Sequence, residues 1–217
     1  MLLLKYDISK LYGKSIKDKR GGKNNIHSWD IDLKGETTEE EKELLNLILV
    51  KRRMKKWSYL YGIDWMDGMP LTKEMIITFY NNPNLDKLLE GLTKKGYLVY
   101  EYPKKKVVIN NIIKREYDTT KEKGYNIVTG NLSFEINKIL DPASIAPTLV
   151  ATDMQKLAVI DGDGLRKLSL REGLRLFGYP EDYQFDVSEK DGFDLLGNTV
   201  VVPVIKAVCD RLIKSLF

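Results

Sequence analysis

Few side chains in this sequence have reactive chemistry. The chain has one cysteine, Cys209, and one histidine, His27. A single cysteine excludes an internal disulfide and any multi-cysteine metal site. The run DGDG at 161–164 has aspartates of the kind that bind calcium, but the rest of an EF-hand pattern, including its terminal glutamate, is missing. We therefore expect a tight turn at 161–164, a packing role for His27 beside Trp29, and no metal site.

Basic side chains are much more abundant than these reactive residues. The segment KSIKDKRGGKNN at 14–25 has five basic residues around two glycines, and the segment KRRMKK at 51–56 has five basic residues in six. Lys and Arg side chains and backbone N–H groups beside glycine are ligands for phosphate. A solvated turn and the basic end of a helix are the alternative explanations. The predicted DNA contacts in these segments are Arg20, Lys23, Arg52 and Arg53.

The charge is unevenly distributed along the chain. Residues 1–140 contain 26 Lys/Arg and 19 Asp/Glu, a net charge of +7, whereas residues 141–217 contain 9 and 12, a net charge of −3. A basic first part joined to a mildly acidic last part suits a module that binds a polyanion and is attached to something else. An ordinary lysine-rich surface is the alternative.

Composition narrows the class of protein. With 43% hydrophobic and 30% charged residues, the chain is globular rather than disordered. No unbroken apolar run approaches the roughly 20 residues that span a bilayer, and the opening MLLLKYDISK lacks the pattern of a signal peptide. We expect a cytoplasmic protein in a reducing compartment, without a membrane segment.

The elements that would position the basic residues can be predicted from capping residues and apolar spacing. Thr37 or Thr38 should start a long helix that carries the 51–56 cluster and stops at Gly62. Leu44, Leu45, Ile48 and Leu49 form its apolar stripe.

The next segment favours two short helices and a basic hairpin. Helices are predicted over 72–80 and 84–96, followed by a strand at 97–101, a turn at 103–105 and a returning strand at 106–113. This order is similar to a winged helix-turn-helix over about residues 70–113, in which the second helix often enters the major groove and the wing touches the backbone. The wing contacts predicted here are Lys104 and Lys105. A winged helix used only for protein contacts is the alternative.

The last third of the chain has clear turn signals and clear start and stop signals for helices. A hairpin is predicted from 157–160 and 165–168. Ser169 and Glu172 form a capping box, and Gly178 ends that helix. A short acidic connector follows, and a final helix opens at 197–199 with Pro203 in its first turn.

Two of these segments resemble known sequence blocks. RKLSLREGLRLFGYP at 166–180 resembles the ninth conserved block of the DNA (cytosine-5) methyltransferases, and GNTV at 197–200, followed by Pro203-Val204, resembles the tenth. Thr148-Leu149 is similar to the pair that closes the target-recognition region of that family. The resemblance covers about the last third of the chain, in the family's order.

The resemblance implies specific roles. Asn198 and Val200 would line the pocket for S-adenosyl-L-methionine, Thr148 would belong to the DNA-contacting region, and the arginines of the ninth block would form structural pairs. The family's nucleophile, cofactor and acid blocks are absent, because the sequence contains no Pro-Cys, F-x-G-x-G, Glu-Asn-Val or Q-x-R-x-R. Cys209 is expected near the buried face of the last helix, where thiols are usually inert. This chain alone should therefore not transfer a methyl group.

The sequence thus predicts an α+β protein with a target-recognition domain at 1–150 and a segment at 151–217 that docks on an α/β catalytic domain. Its predicted function is target recognition for a DNA (cytosine-5) methyltransferase, as the second subunit of a split enzyme. The expected partners are double-stranded DNA and a catalytic subunit that completes the S-adenosyl-L-methionine pocket, with a homodimer possible when the chain is unpaired. The alternatives are a winged-helix DNA-binding regulator and an inactive fragment of an interrupted methyltransferase.

Overall fold

A computed structural model describes residues 2–3, 6–19, 21, 24–128 and 136–216. Over these residues the chain is a mixed α and β protein with small sheets, as the sequence predicts. The α-helices are α1 (Glu39–Lys51), α2 (Lys56–Tyr61), α3 (Lys73–Ile77), α4 (Leu85–Lys94), α5 (Ala151–Met154), α6 (Leu170–Leu176), α7 (Glu189–Gly197) and α8 (Val202–Leu216). The strands are β1 (Leu2–Leu3), β2 (Ser15–Ile16), β3 (Asn25–Ile26), β4 (Leu98–Glu101), β5 (Lys104–Ile109), β6 (Ile112–Tyr117), β7 (Gly124–Ile127), β8 (Lys138–Ile139), β9 (Leu157–Asp161) and β10 (Gly164–Lys167).

The chain divides into two compact units. The terminal unit comprises residues 1–16 and 134–217, and the central unit comprises residues 17–133. The boundary predicted from the sequence, at 150, differs from this division. The difference arises from long-range pairing: β1 pairs antiparallel with β10 and β2 pairs antiparallel with β8, so the first 16 residues join the end of the chain. Pairing between strands so far apart in sequence leaves no local sequence pattern that could predict the boundary between the units.

The terminal unit combines a small sheet with a helical cluster. The predicted β9–β10 hairpin is confirmed, with Gly162 at φ 57° in its turn. Strand β8 pairs in parallel with β9. Beside the sheet, α5, α6 and α7 contribute to an apolar cluster of Met154, Leu174, Phe177, Phe193 and Leu196.

The predicted acidic connector is wrong, because most of it is helix α7. Ser188 starts this helix by accepting a hydrogen bond from Asp191 N. The helix passes close to α6, since a Cβ on Gly192 would lie 2.6 Å from Leu170 Cδ2. The last helix consequently begins at Val202 rather than at 197–199, with Pro203 in its first turn as predicted.

The core of the central unit forms around α1. Thr38 and Glu41 make the predicted capping box, and the predicted stripe of Leu44, Leu45 and Ile48 is fully buried. The predicted continuous helix to Gly62 is wrong, because α1 ends at Lys51 and α2 starts at Lys56. Tertiary bonds replace the helical ones at the break: Met69 N donates to Arg52 O at 2.9 Å, and Trp57 Nε1 donates to Lys51 O at 2.8 Å.

The helix pair α3 and α4 follows the prediction, but the strand pairing after it does not. Strand β4 pairs with β7, and β5 pairs with β6, so the predicted hairpin between 97–101 and 106–113 is wrong. The turn lies at Asn110 and Asn111, whose φ angles are 52° and 61°. Asparagine tolerates this left-handed region, and two such residues form the tight turn that matches the strand twist.

Candidate functional site

The loop between α7 and α8 exposes both residues that the sequence assigned to the cofactor pocket. Asn198 is exposed and Val200 is 58% exposed. The backbone N–H of Asn198 donates to Leu195 O at 3.1 Å and its Nδ2 donates to Asp194 O at 2.8 Å, so this asparagine ends α7 and does not start a helix. The side chains of Asn198 and Val200 are thus presented to solvent from a fixed backbone.

That loop is held at both ends. A Cβ on Gly197 would collide with the backbone of Val150 and Ala151, so only glycine allows this close approach. On the other side Val202 N donates to Phe177 O at 2.9 Å, and Val201 packs against the apolar cluster of the terminal unit. The exposed residues 198–200 are therefore positioned by anchors on both sides, within the terminal unit.

Two of the three arginines at 166–180 form ion pairs, as the resemblance implies, whereas Arg171 Nη2 donates to the backbone oxygen of Tyr183 at 3.0 Å. Arg166 makes a bidentate pair with Glu172, at 2.7 and 2.8 Å, and its Nε lies 2.8 Å from Asp161 Oδ2. The hydrogen bonds from Arg166 hold the pKa of Glu172 at about 2. Arg175 pairs with Glu181 at 2.7 Å in the same way. These pairs fasten α6 to the β9–β10 hairpin and to the following loop.

Helix α8 buries none of its residues, although one face is strongly apolar. Its exposed apolar side chains include Val204, Ile205, Val208, Leu212 and Ile213. Cys209 is also exposed, which corrects the expectation that it lies near a buried face. Nothing in the described part of the chain covers this face, so the thiol is accessible to solvent.

The end of the chain is apolar over a longer stretch than α8 alone. By length and composition alone the stretch Glu189–Leu216 passes as a membrane span, and one such stretch is weak evidence for a span. It consists of two helices, however, and α8 has 15 residues. At 1.5 Å per residue, α8 is about 22 Å long, less than the roughly 30 Å of a bilayer core. Neither α7 nor α8 alone is therefore long enough to span a bilayer core.

The basic cluster at 51–56 is split between the interior and the surface of the central unit. Arg52 is 3% exposed, and its Nη1 donates to Asn126 Oδ1 at 2.6 Å and to Ile127 O at 3.1 Å. Burial lowers the pKa of Arg52 to about 10. Arg53 pairs with Asp67 at 2.8 Å. The structure thus gives Arg52 a structural role, and a contact with DNA would require its side chain to leave these partners.

Two lysines of the cluster lie against aromatic rings. Lys56 Nζ lies 4.1 Å from the centre of the Trp57 ring, and Lys55 Nζ lies 5.7 Å from that of Trp65. Cation–π contacts of this kind fix a lysine while its charge stays near the surface.

The remaining predicted DNA contacts occupy different places. Lys104 and Lys105 lie in β5 rather than in a turn, so they belong to the base of a hairpin and not to its tip. Lys104 Nζ lies 5.1 Å from the Tyr117 ring centre, and Lys105 pairs with Asp118 at 3.5 Å. Thr148 is exposed in the terminal unit. Arg20 and Lys23 lie outside the described residues.

The exposed end of the β5–β6 hairpin was not predicted from the sequence. Val108 and Ile113 are 69% and 68% exposed there, with Lys106 and Arg115 exposed one step nearer the base. The signal was the pair Asn110-Asn111 between two apolar runs, which is typical of a two-residue hairpin turn.

Comparison with known proteins gives this chain a family. A profile of the C-5 cytosine-specific DNA methylases matches residues 16–214. The chain belongs to this family. It is 64% identical over 215 residues to the Type II methyltransferase M.NlaIV of Neisseria lactamica, 62% identical over 215 residues to M.NgoBV of Neisseria gonorrhoeae, and 38% identical over 205 residues to M.BanI of Aneurinibacillus aneurinilyticus.

The alignments cover nearly all of this chain but only about half of each relative. The alignments include 99% of this chain for the two Neisseria relatives and 94% for M.BanI, but only 50% and 42% of those proteins. The chain therefore spans about half the length of the curated relatives that it matches.

Within the part of the chain that the structure describes, no group of three or more His, Cys, Asp or Glu side chains is placed to hold a metal ion.

Proposed function

We propose that this chain is the target-recognition half of a cytoplasmic DNA (cytosine-5) methyltransferase of a restriction–modification system, and that a second polypeptide or region supplies the nucleophile and most of the cofactor site. The observation that carries this proposal is the exposed apolar face of α8 beside the exposed loop at 198–200, in a chain that matches half of its relatives. An apolar helical face of this size is a docking surface that requires a partner.

The residues present suit one wall of a cofactor pocket. Asn198 offers an amide oxygen and Val200 an apolar surface, both fixed by the anchored loop. S-adenosyl-L-methionine, as the family's cofactor, would supply the methyl group. In this proposal Asn198 and Val200 bind and orient the cofactor, and α8 packs on the catalytic half. The only cysteine, Cys209, follows Val208 rather than proline, so the nucleophile is assigned to the other half.

The central unit is proposed to hold the target DNA. Residues 17–133 contain 22 Lys/Arg and 17 Asp/Glu, a net charge of +5, whereas the remaining residues contain 13 and 14. Surface lysines and arginines of the central unit would bind phosphates and position the duplex. Among the described residues, the predicted contacts that remain available for this role are Arg53, Lys104 and Lys105. Arg20 and Lys23 lie outside the described residues and stay a prediction.

The test is complementation by the missing half. The chain is mixed with the half of M.NlaIV that has no counterpart in it, and transfer of labelled methyl groups from S-adenosyl-L-methionine to duplex DNA is measured. We expect transfer by the mixture and none by the chain alone. A mixture carrying Asn198→Ala should need a higher cofactor concentration at unchanged DNA affinity. If the halves do not associate and the chain alone binds one DNA sequence tightly, the protein is a DNA-binding regulator instead.

A further inference from the structure

The β5–β6 hairpin is an arm attached to the central unit at one end. The strands pair with each other in register from Lys104↔Tyr117 to Ile109↔Ile112. Each strand has six residues, so the arm is about 20 Å long at 3.3 Å per residue. Its base is fastened, because Tyr117 Oη donates to Glu101 Oε2 at 3.0 Å and the backbone N–H of Lys106 donates to Asp64 Oδ2 at 2.9 Å.

One face of this arm is exposed along its whole length. Residues opposite each other in an antiparallel pair point to the same side. The register therefore places three cross-strand pairs on one face, namely Lys104 with Tyr117, Lys106 with Arg115, and Val108 with Ile113. All six side chains are exposed. Tyr117 at the base bonds to Glu101. Within the described residues, the other two pairs of this face, cationic in the middle of the arm and apolar at its tip, have no side-chain partner in the rest of the central unit.

The charge of the arm points to a polyanion as its occupant. Residues 104–117 contain five Lys/Arg and one Glu, a net charge of +4, which is most of the +5 of the central unit. A two-stranded ribbon fits the major groove, which is about 12 Å wide and 8.5 Å deep. The step from Val108/Ile113 to Lys106/Arg115 is two residues, about 7 Å, which is close to the depth of that groove.

We infer that the tip of the β5–β6 hairpin enters the major groove of duplex DNA, where Val108 and Ile113 pack against base edges while Lys106 and Arg115 contact the flanking phosphates. The thymine methyl group is the largest apolar feature on those edges. This inference rests on the proposed function of the central unit as a DNA-binding module. It assigns the groove contact to the hairpin rather than to α4, the helix that a winged helix-turn-helix would use.

The experiment measures binding of the full chain to a duplex pool of random sequence, about four turns of B-DNA long, by fluorescence anisotropy at several salt concentrations. Val108→Asn/Ile113→Asn is expected to weaken binding about tenfold with an unchanged salt slope, because apolar contacts release no counterions. Lys106→Gln/Arg115→Gln is expected to weaken binding and to reduce the salt slope by about two, because two side chains no longer neutralise phosphates.

Matched controls separate the hairpin from general effects. Leu60→Asn changes a residue that is 69% exposed in α2 of the same unit, and it should alter affinity by less than about twofold. Lys87→Gln changes an exposed lysine of α4 and should leave the apolar contribution of the tip intact. A urea titration of each variant checks that the central unit remains folded.

The outcomes distinguish the inference from the function on which it rests. If the wild-type chain does not bind DNA, both fail. If it binds and the Val108/Ile113 variant binds equally well, the hairpin inference alone is wrong. If that variant loses only its association with the other half of the enzyme, the tip touches protein and the inference is also wrong. Competition by methyl green, which occupies the major groove, is expected; competition by distamycin alone would place the tip in the minor groove and overturn the assignment.

Discussion

The sharpest stability prediction concerns Arg52, which the sequence assigns to DNA and the structure places in the interior. Replacement by methionine keeps an unbranched side chain but removes the hydrogen bonds to Asn126 Oδ1 and Ile127 O, which measure 2.6 and 3.1 Å. Two buried acceptors then have no charged donor. At about 1.5 kcal/mol for each such bond, Arg52→Met should lower the free energy of unfolding by about 3 kcal/mol.

The assay is urea unfolding followed by tryptophan fluorescence. All three tryptophans, Trp29, Trp57 and Trp65, lie in the central unit, so the signal reports that unit. With an m-value of about 2 kcal/mol/M, the expected shift in the unfolding midpoint is about 1.5 M towards lower urea.

Arg53→Met is the matched control. Arg53 pairs with Asp67, whose side chain is 70% exposed, and exposed ion pairs contribute at most about 1 kcal/mol. Its midpoint should shift by less than about 0.5 M. The opposite result would refute the structural role. If the urea midpoint of Arg52→Met equals that of the wild type and the variant instead reduces the salt slope of DNA binding by about one, Arg52 is a phosphate contact, as the sequence predicts.

Three other predictions concern the terminal unit. Because Arg166 holds the pKa of Glu172 at about 2, below its usual 4.5, the pair stabilises the fold fully above pH 4.5, and this contribution is lost as the pH falls towards 2. In acid unfolding followed by circular dichroism, Glu172→Gln should remove about 1–2 kcal/mol of this pH-dependent stability. Gly197→Ala should destabilise the unit by at least about 1–3 kcal/mol, because its methyl group meets the backbone of Ala151, whereas an equal melting temperature would show that the approach relaxes freely. Val208→Asp should abolish concentration-dependent self-association in analytical ultracentrifugation, and persistent dimers would place the interface away from α8.

Local capping signals predict the starts of α1, α3 and α6, and tertiary pairing explains several of the failures. The capping boxes at Thr38 and Ser169 are confirmed because their hydrogen bonds involve residues three apart. The break after α1 could not be predicted, since the backbone carbonyls freed there are satisfied by tertiary bonds from Met69 N to Arg52 O and from Trp57 Nε1 to Lys51 O. Strand β4 pairs with β7 for the same kind of reason, and the sequence offered a nearer but wrong partner.

The predicted site residues divide in the same way. The prediction of Asn198 and Val200 rests on a resemblance, and their exposure follows from an anchored loop that the sequence alone does not reveal. The DNA contacts predicted in the 51–56 cluster rest on charge density, which cannot separate the buried Arg52 from its neighbour Arg53, whose ion pair is near the surface. The strands KKKVVI and IIKREY have no polar–apolar alternation, so the turn at Asn110 would have given the register of the hairpin but not which face is exposed.

The measurement that tests the central claim most directly is methyl transfer by reconstituted halves. The chain, the complementary half of M.NlaIV and their mixture are each incubated with labelled S-adenosyl-L-methionine and duplex DNA, and label in C5-methylcytosine is counted. The proposed division of labour predicts label only with the mixture, and less of it at limiting cofactor when Asn198 is replaced by alanine. Label incorporated by the purified chain alone would contradict it.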